Sequence, residues 1–309
     1  MEDFIGFDSI VEGFSKRAEN NSLSHAHLIV GPDGIGKSIL AKIFSLKILN
    51  KSIDRDYVDI VKYKPKKASF GVDEVRAIIE EVNKKPYEGN KKVIIIYEGN
   101  KLTVQAQNAL LKTIEEPPNG VYIIILSESL ELMLDTIKSR SQIYKLTPLC
   151  KEDMKKIILK TGIYNEEKIL LALAYGEGIP GRAERIINDI KLQELRNLII
   201  NLLKEIDSNQ RESIMKYEEK LIKYKAEKEE VLNLITLFIR DIMVSKELGK
   251  KDIIINVDKE KDIQGLASDL SFKKLNSMLS HINEARISLK NNVSYSMVIC
   301  VLLIGFLED

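Results

Sequence analysis

The sequence predicts an α/β fold in which a parallel sheet, covered by helices, is followed by an all-helical region. Three observations support this prediction. Short β-rich runs alternate with amphipathic stretches through the first half of the chain. Two of those runs, 93–97 and 121–126, are almost wholly apolar, as expected of strands that are covered on both faces. After Pro148 the alternation stops and long amphipathic segments follow.

The individual elements are predicted from the spacing of apolar residues. Predicted strands cover 27–30, 58–61, 93–97, 121–126 and 143–146, and predicted helices cover 38–49, 71–83 and 103–116. The last of these helices begins at Thr103, whose hydroxyl can cap it, and stops at Pro117-Pro118. Later in the chain the pattern allows only one further strand, at 253–257.

Changes in this pattern divide the chain. The strands end near residue 148, short helices follow to about 205, and long charged helices fill the remainder. We therefore expect three domains: an α/β domain at 1–148, a helical domain at 149–205 and a second helical domain at 206–309.

Composition narrows the class of protein. The net charge is only +1, whereas a protein that grips DNA alone usually carries a basic excess. Two cysteines, Cys150 and Cys300, are expected to be buried, reduced thiols in a cytoplasmic protein. Two thiols cannot form a structural zinc site, so no zinc is expected. Neither a signal peptide nor an apolar run long enough to span a bilayer is apparent, so no membrane association is expected.

Residues 31–38, with the sequence GPDGIGKS, form a phosphate-binding loop between a predicted strand and a predicted helix. The predicted nucleotide-binding residues belong to this loop: Gly31, Gly34, Ile35, Gly36, Lys37 and Ser38. Lys37 is expected to contact the β- and γ-phosphates of ATP, and the Ser38 hydroxyl to hold Mg²⁺. The alternative is a loop that keeps its shape after its affinity for nucleotide has been lost.

Hydrolysis requires more than this loop. An acid at the end of a neighbouring strand normally holds the water shell of Mg²⁺, and a second acid often polarises the attacking water. Here Tyr97 occupies the first position, where it cannot act as an acid. Glu98 occupies the second, either in that role or as an ordinary solvated residue at a strand end. The sequence therefore favours binding of ATP without efficient hydrolysis.

Residues 107–118, QNALLKTIEEPP, resemble bacterial clamp-loader ATPases, which are AAA+ proteins. Residues 137–142, IKSRSQ, are similar to the Ser-Arg-Cys motif of that family, with Ser141 in place of the cysteine. The resemblance is dense from about 20 to 185. It implies an AAA+ core at 1–148, a small helical lid and a helical collar that joins the subunits.

The resemblance also implies roles for three side chains. Arg140 would be an arginine finger, offered in trans to ATP on the next subunit; the alternative is an ordinary surface arginine. Ser127 matches the residue that senses the γ-phosphate, although it could simply cap a helix. Arg182 lies in a segment similar to sensor 2, but it is displaced by one residue from the usual arginine position, which Gly181 occupies.

Three departures from the family pattern point to its delta-prime-type members. These are Tyr97, Gly181 and the absence of cysteine from 50–56, where active subunits carry a zinc module. The resemblance thus implies a stator and arginine-finger donor in a hetero-pentamer with gamma/tau-type and delta-type subunits. Such a complex loads the sliding clamp onto primed DNA, which this chain would contact only indirectly. An active gamma/tau-type ATPase and a stand-alone AAA+ helicase loader remain alternatives.

Overall fold

The computed structural model describes residues 4–65, 69–207, 211–248 and 253–308. The chain divides into two compact units. The first comprises Met1–Thr161 with Glu177–Gly181, and the second comprises Gly162–Gly176 with Arg182–Asp309. The sheet lies in the first unit, and the described part of the second is helical.

The first unit alternates strands and helices. Its strands are β1 (Ala26–Val30), β2 (Ile60–Tyr63), β3 (Lys92–Ile96), β4 (Val121–Ser127) and β5 (Gln142–Lys145). Its helices are α1 (Asp8–Glu19), α2 (Lys37–Ile48), α3 (Val72–Val82), α4 (Val104–Glu115), α5 (Asp135–Arg140) and α6 (Lys151–Lys160).

The five strands form one parallel sheet in the order β2-β3-β4-β1-β5. The predicted α/β class is therefore confirmed. β1 lies between β4 and β5, with Val30 beside Ser127 on one side and beside Lys145 on the other. Thr103 caps α4 as predicted, since its hydroxyl accepts a hydrogen bond from the Ala106 amide at 3.2 Å.

Alternate residues of the central strands pack against opposite apolar layers, as the period of a strand requires. Ile94 and Ile96 of β3 belong to the layer that contains residues of α3, α4 and α5. Val93 and Ile95 belong to the layer that contains residues of α1 and α2. Both faces of the sheet are thus covered, which explains why β3 and β4 are almost wholly apolar.

β2 begins two residues later than the predicted 58–61. The Asp59 carboxylate is buried and accepts hydrogen bonds from the amides of Tyr87 at 2.6 Å and Glu88 at 2.8 Å. These bonds hold residues 58 and 59 in a turn before the strand. Backbone amides far along the chain, at residues 87 and 88, therefore set the start of β2.

His27 of β1 lies in an aromatic cluster under the sheet. Its ring is 5.3 Å from that of Phe14 and 5.8 Å from that of Tyr144. Burial, reinforced by the nearby charge of Arg17, lowers the pKa of His27 to about 4. At neutral pH the ring is therefore uncharged and packs as an apolar group.

The second unit is built from eight helices in the part that the structure describes. They are α7 (Glu166–Gly176), α8 (Pro180–Asn188), α9 (Ile190–Asp207), α10 (Arg211–Ile222), α11 (Lys228–Leu248), α12 (Glu260–Asp269), α13 (Phe272–Lys290) and α14 (Tyr295–Glu308). The first two residues of α8 are assigned to the first unit. None of the described helices is long and apolar enough to cross a membrane.

The strand predicted at 253–257 is wrong. The amides of Ile255 and Asn256 donate to the buried carboxylate of Asp241 in α11, at 3.1 and 2.8 Å. They therefore do not take part in a sheet. Arg196 of α9, which is fully buried, donates to Asp258 at 2.6 Å and to Asn256 at 3.0 Å. A buried polar network thus anchors this segment to two helices.

The expected burial of the two cysteines is wrong in part. Cys150 is exposed and Cys300 is partly exposed, so neither thiol is a fully buried group. α14 is apolar nearly all round, yet Met297, Val301 and Ile304 are 61, 59 and 48% exposed. Their spacing places them on one face of the helix. α14 therefore presents an apolar stripe, defined by these three residues.

Candidate nucleotide-binding site and arginine motif

The phosphate-binding loop joins the end of β1 to the start of α2. Gly34 and Gly36 have φ angles of 82° and 105°, in the left-handed region that favours glycine. Gly36 is the N-cap of α2, so the helix begins directly at Lys37. The free amides and the positive end of the dipole at a helix N-terminus favour a phosphate group.

Lys37 is held by its own loop. Its Nζ donates to the carbonyl oxygens of Gly31 at 2.7 Å and Pro32 at 2.9 Å. Burial lowers the pKa of Lys37, while the negative charges of Asp33 and Glu128 act in the opposite direction. The ammonium group therefore lies among carbonyls and acids at the loop, where a phosphate would be an additional negative partner.

The loop fits the phosphates of ATP, but the partners of Mg²⁺ are incomplete. The Ser38 side chain is exposed in the first turn of α2, so its hydroxyl is available to a metal-bound nucleotide. Among the described residues there is no group of three or more metal-ligating side chains that could hold an ion.

Tyr97 directly follows β3, where a hydrolytic site needs an acid. The Lys64 ammonium lies 4.8 Å from the centre of its ring, a distance typical of a cation–π contact. Glu98 adopts a left-handed conformation with φ of 52° and forms a salt bridge with Lys101. The position of the first acid thus has a cation beside it, and the carboxylate of the second is already paired.

Gly181 lies against the phosphate-binding loop. Its amide donates to the Gly34 carbonyl at 2.9 Å, and a Cβ added to Gly181 would lie 2.7 Å from the Gly34 Cα. No side chain fits at this position without movement of the loop. Arg182 is exposed and is the first residue after this segment that belongs to the second unit.

Ser127 ends β4 next to the loop, and its carbonyl accepts a hydrogen bond from the Gly31 amide at 3.2 Å. The hydroxyl of Ser127 is buried and donates to the Ser129 carbonyl at 2.9 Å. Ser127 is not a helix cap, since the next helix, α5, begins only at Asp135. Its hydroxyl stabilises the turn at the carboxyl end of β4.

Arg140 is the last residue of α5, and its side chain is 42% exposed. Its Nε lies 2.6 Å from the Oε1 of Glu115, the last residue of α4. Its Nη1 donates to the Thr136 carbonyl at 3.2 Å and to the Ser139 hydroxyl at 3.3 Å. The guanidinium is thus fixed along one edge and open to solvent elsewhere.

Two polar residues around this motif were missed in the sequence. Glu115 belongs to the motif 107–118, but nothing in its spacing pairs it with Arg140. Gln107 is buried and joins α4 to the segment before α5: its amide donates to the Leu132 carbonyl at 3.1 Å, and its carbonyl accepts from the Leu134 amide at 2.8 Å. A glutamine on the buried face of a predicted amphipathic helix was the available signal.

Comparison with known families assigns most of the chain. Residues 7–150 match the model described as "DNA polymerase III, delta subunit". Residues 191–307 match the model described as "DNA polymerase III, delta subunit, C terminal". The two matches lie in order along the chain and leave residues 1–6, 151–190 and 308–309 unassigned.

Individual relatives agree with these matches. The chain is 26% identical over 294 residues to the DNA polymerase III subunit delta' of Bacillus subtilis, covering 89% of this chain and 88% of that protein. It is 28% identical over 202 residues to the subunit gamma of Buchnera aphidicola subsp. Schizaphis graminum. This second alignment covers 58% of this chain and about half, 54%, of that relative.

A solved structure has the same fold. It is a DNA polymerase III, gamma subunit-related protein from Thermotoga maritima, with a TM-score of 0.58 and 16% sequence identity. The superposition covers 96% of this chain and 98% of that one. At this identity the likeness shows the fold alone.

Proposed function

This chain belongs to the delta-prime family of bacterial DNA polymerase III clamp-loader subunits, and from that premise we propose that it acts as a stator and as the donor of a trans arginine finger. In this proposal it joins gamma/tau-type and delta-type subunits in a hetero-pentamer. The complex uses ATP to place the sliding clamp on primed DNA in the cytoplasm. This chain would contact the clamp and the DNA through the complex.

The observation that carries this proposal is the side chain at the end of β3. The chain combines a complete phosphate-binding loop with Tyr97, beside the Lys64 ammonium, at the acid position after β3. Mg²⁺ would meet a phenol ring and a nearby cation where it needs a carboxylate. We propose that the loop binds ATP and Mg²⁺ through Lys37 and Ser38 but hydrolyses ATP poorly.

Gly181 supports the same conclusion. An arginine at this position would stabilise charge on the transferred phosphoryl group, but the close approach of Gly181 to Gly34 leaves no room for a side chain. Arg182, one residue later, is proposed as a weaker nucleotide contact, and Ser127 as a sensor of the γ-phosphate. Glu98 would polarise a water only after release of Lys101.

The proposed finger is Arg140. Its guanidinium is partly exposed at the end of α5, and the fork of donors in arginine suits phosphate oxygens. ATP bound to the neighbouring subunit would supply the phosphoryl group, and Arg140 would stabilise the charge that develops on it.

The apolar stripe of α14 supports assembly. Met297, Val301 and Ile304 expose a continuous apolar face that would be buried against another collar helix. We propose that residues 206–309 form the collar and residues 149–205 the lid. These boundaries, at 148 and 205, remain predictions.

An active gamma/tau-type ATPase is the second candidate, because the chain also matches gamma subunits and keeps the whole loop. The test is ATP turnover and nucleotide binding by the purified chain, with Lys37→Ala as the control. We expect wild-type chain to bind ATP more tightly than Lys37→Ala, and both to show the same background turnover. Turnover that disappears in Lys37→Ala would establish the gamma/tau-type alternative.

A further inference from the structure

We propose that Glu115 is a positioning residue for Arg140, whose carboxylate holds the guanidinium ready for the ATP of the neighbouring subunit. This inference rests on the proposed role of Arg140 as a trans arginine finger. It adds a second residue to that finger, from a different helix, and assigns a task to the acid at the end of α4.

The contact between the two residues fixes one edge of the guanidinium. Glu115 Oε1 lies 2.6 Å from Arg140 Nε, while Nη1 donates to the Thr136 carbonyl. Within the part of the chain that the structure describes, Nη2 has no protein partner. Nη1 also donates to the Ser139 hydroxyl at 3.3 Å, so the N–H groups of Nη2 are the ones left for an external acceptor.

Both residues are attached to fixed parts of the core. Ile114, next to Glu115, is 4% exposed, and Ile137, three residues before Arg140, is fully buried. Both isoleucines belong to the same apolar layer beneath the sheet. Packing therefore fixes the backbone at Glu115 and Arg140, so that only the two side chains have to be oriented toward each other.

Such a pair contributes little to folding, because both side chains are more than 40% exposed to water. Its larger effect is on the freedom of the arginine. A guanidinium on a flexible stem must lose rotamer freedom when it binds a phosphate, and a group that is already fixed loses less. The carboxylate thereby lowers the entropic cost of bringing the finger to the transition state.

The negative charge of Glu115 also weakens the attraction between Arg140 and a phosphate. This opposing effect is limited because the carboxylate contacts Nε, so the Nη2 N–H that points away from Nε stays available to a phosphate. In phosphoryl transfer, the positioning of groups and their electrostatic effects provide most of the catalysis. A fixed orientation of the donors therefore usually has a large effect on the rate. We therefore expect removal of the carboxylate to slow the reaction.

The test is ATP hydrolysis by the clamp-loader complex, reconstituted with gamma-type and delta-type subunits, clamp and primed DNA. The complex is assembled so that only one neighbouring subunit at a time can hydrolyse ATP. With the competent subunit next to this chain, the measured rate is that of the adjoining site. Glu115→Gln should lower kcat there by about three- to tenfold without changing KM for ATP. Glu116→Gln, which removes the same charge from the next residue, should match wild type.

A double variant separates positioning from other effects. Glu115→Gln should cause no further loss in an Arg140→Ala background, because residues that act through one another are not additive. Wild-type kcat in Glu115→Gln, or an equal loss with and without Arg140, would overturn the positioning role while the finger itself stands. No effect of Arg140→Ala alone would instead overturn the proposed function.

Discussion

The phosphate-binding loop and the arginine motif lie in the same unit, and each presents a cation, but their surroundings differ. Lys37 is turned onto the Gly31 and Pro32 carbonyls of its own loop. Arg140 projects from the end of α5, where a carboxylate holds one edge and solvent reaches the rest. We propose that the first cation serves a ligand of this chain and the second a ligand of another chain.

The two regions also differ in what has been changed around them. At the loop, Tyr97 and Gly181 occupy positions where hydrolysis needs a carboxylate and an arginine. At the arginine motif, the guanidinium and its supporting acid, Glu115, are both in place. If the proposed roles hold, the comparison teaches that an α/β core can lack the groups that use its own ATP and still present a group directed at a neighbour's ATP.

The largest expected effect comes from removing each cation in turn within the reconstituted complex. Arg140→Ala should slow hydrolysis at the neighbouring site on the order of 10³-fold, since a trans arginine stabilises charge in the transition state. Lys37→Ala should change the same rate by less than about twofold, or ~0.4 kcal/mol, because in this proposal Lys37 holds only the ATP of its own chain. Single-turnover hydrolysis measures both.

The matched control is Lys138→Ala, which removes another cation from α5 and leaves the Glu115–Arg140 contact intact. It should behave as wild type. Equal losses from Lys37→Ala and Arg140→Ala would contradict the division of labour between the two regions, since both cations would then serve one reaction.

A smaller effect is expected on the free energy of unfolding, when alanine replaces either the crowded Gly181 at the loop or Gly265, which has open space around it. Gly181→Ala adds a Cβ at 2.7 Å from the Gly34 Cα, so it should lower the free energy of unfolding by about 1–3 kcal/mol. Gly265→Ala, within α12, meets nothing within 4 Å and should raise it by about 0.5–1 kcal/mol. Urea denaturation compares the two. Stabilisation by Gly181→Ala would show that the loop has room for a side chain.

Much of the fold could be predicted from the sequence, because the patterns that indicate it involve residues close together in the chain. Apolar strands, the glycine-rich loop and the Thr103 cap depend on neighbours within a few residues, and all three predictions agree with the structure. The pairing of Glu115 with Arg140 was not predictable, since it depends on how α4 and α5 pack. The strand at 253–257 failed for the same reason: its amides are bound by Asp241, a residue of another helix.

The smallest expected effect concerns the missing acid at the end of β3. Tyr97→Asp supplies a carboxylate, but it also leaves the Lys64 ammonium, now 4.8 Å from the tyrosine ring, beside the new negative charge. The two groups would pair, and the pair would compete with Mg²⁺. We therefore expect Tyr97→Asp alone to strengthen Mg²⁺-dependent binding of ATP by less than about threefold.

Removal of the Lys64 ammonium should allow the new carboxylate at position 97 to bind Mg²⁺. In the double variant Lys64→Ala, Tyr97→Asp we expect Mg²⁺ to tighten ATP binding by about tenfold relative to wild type, as one added metal contact permits. Tyr97→Phe keeps the ring and serves as the control without a carboxylate. Titration of ATP with and without Mg²⁺ measures how much the metal tightens ATP binding in each variant. An equal effect of Mg²⁺ in the double variant and in Tyr97→Phe would rule out Tyr97 as the position that limits metal binding. Hydrolysis should stay slow even in the double variant, because Gly181 still occupies the position where an arginine would stabilise the transferred phosphoryl group.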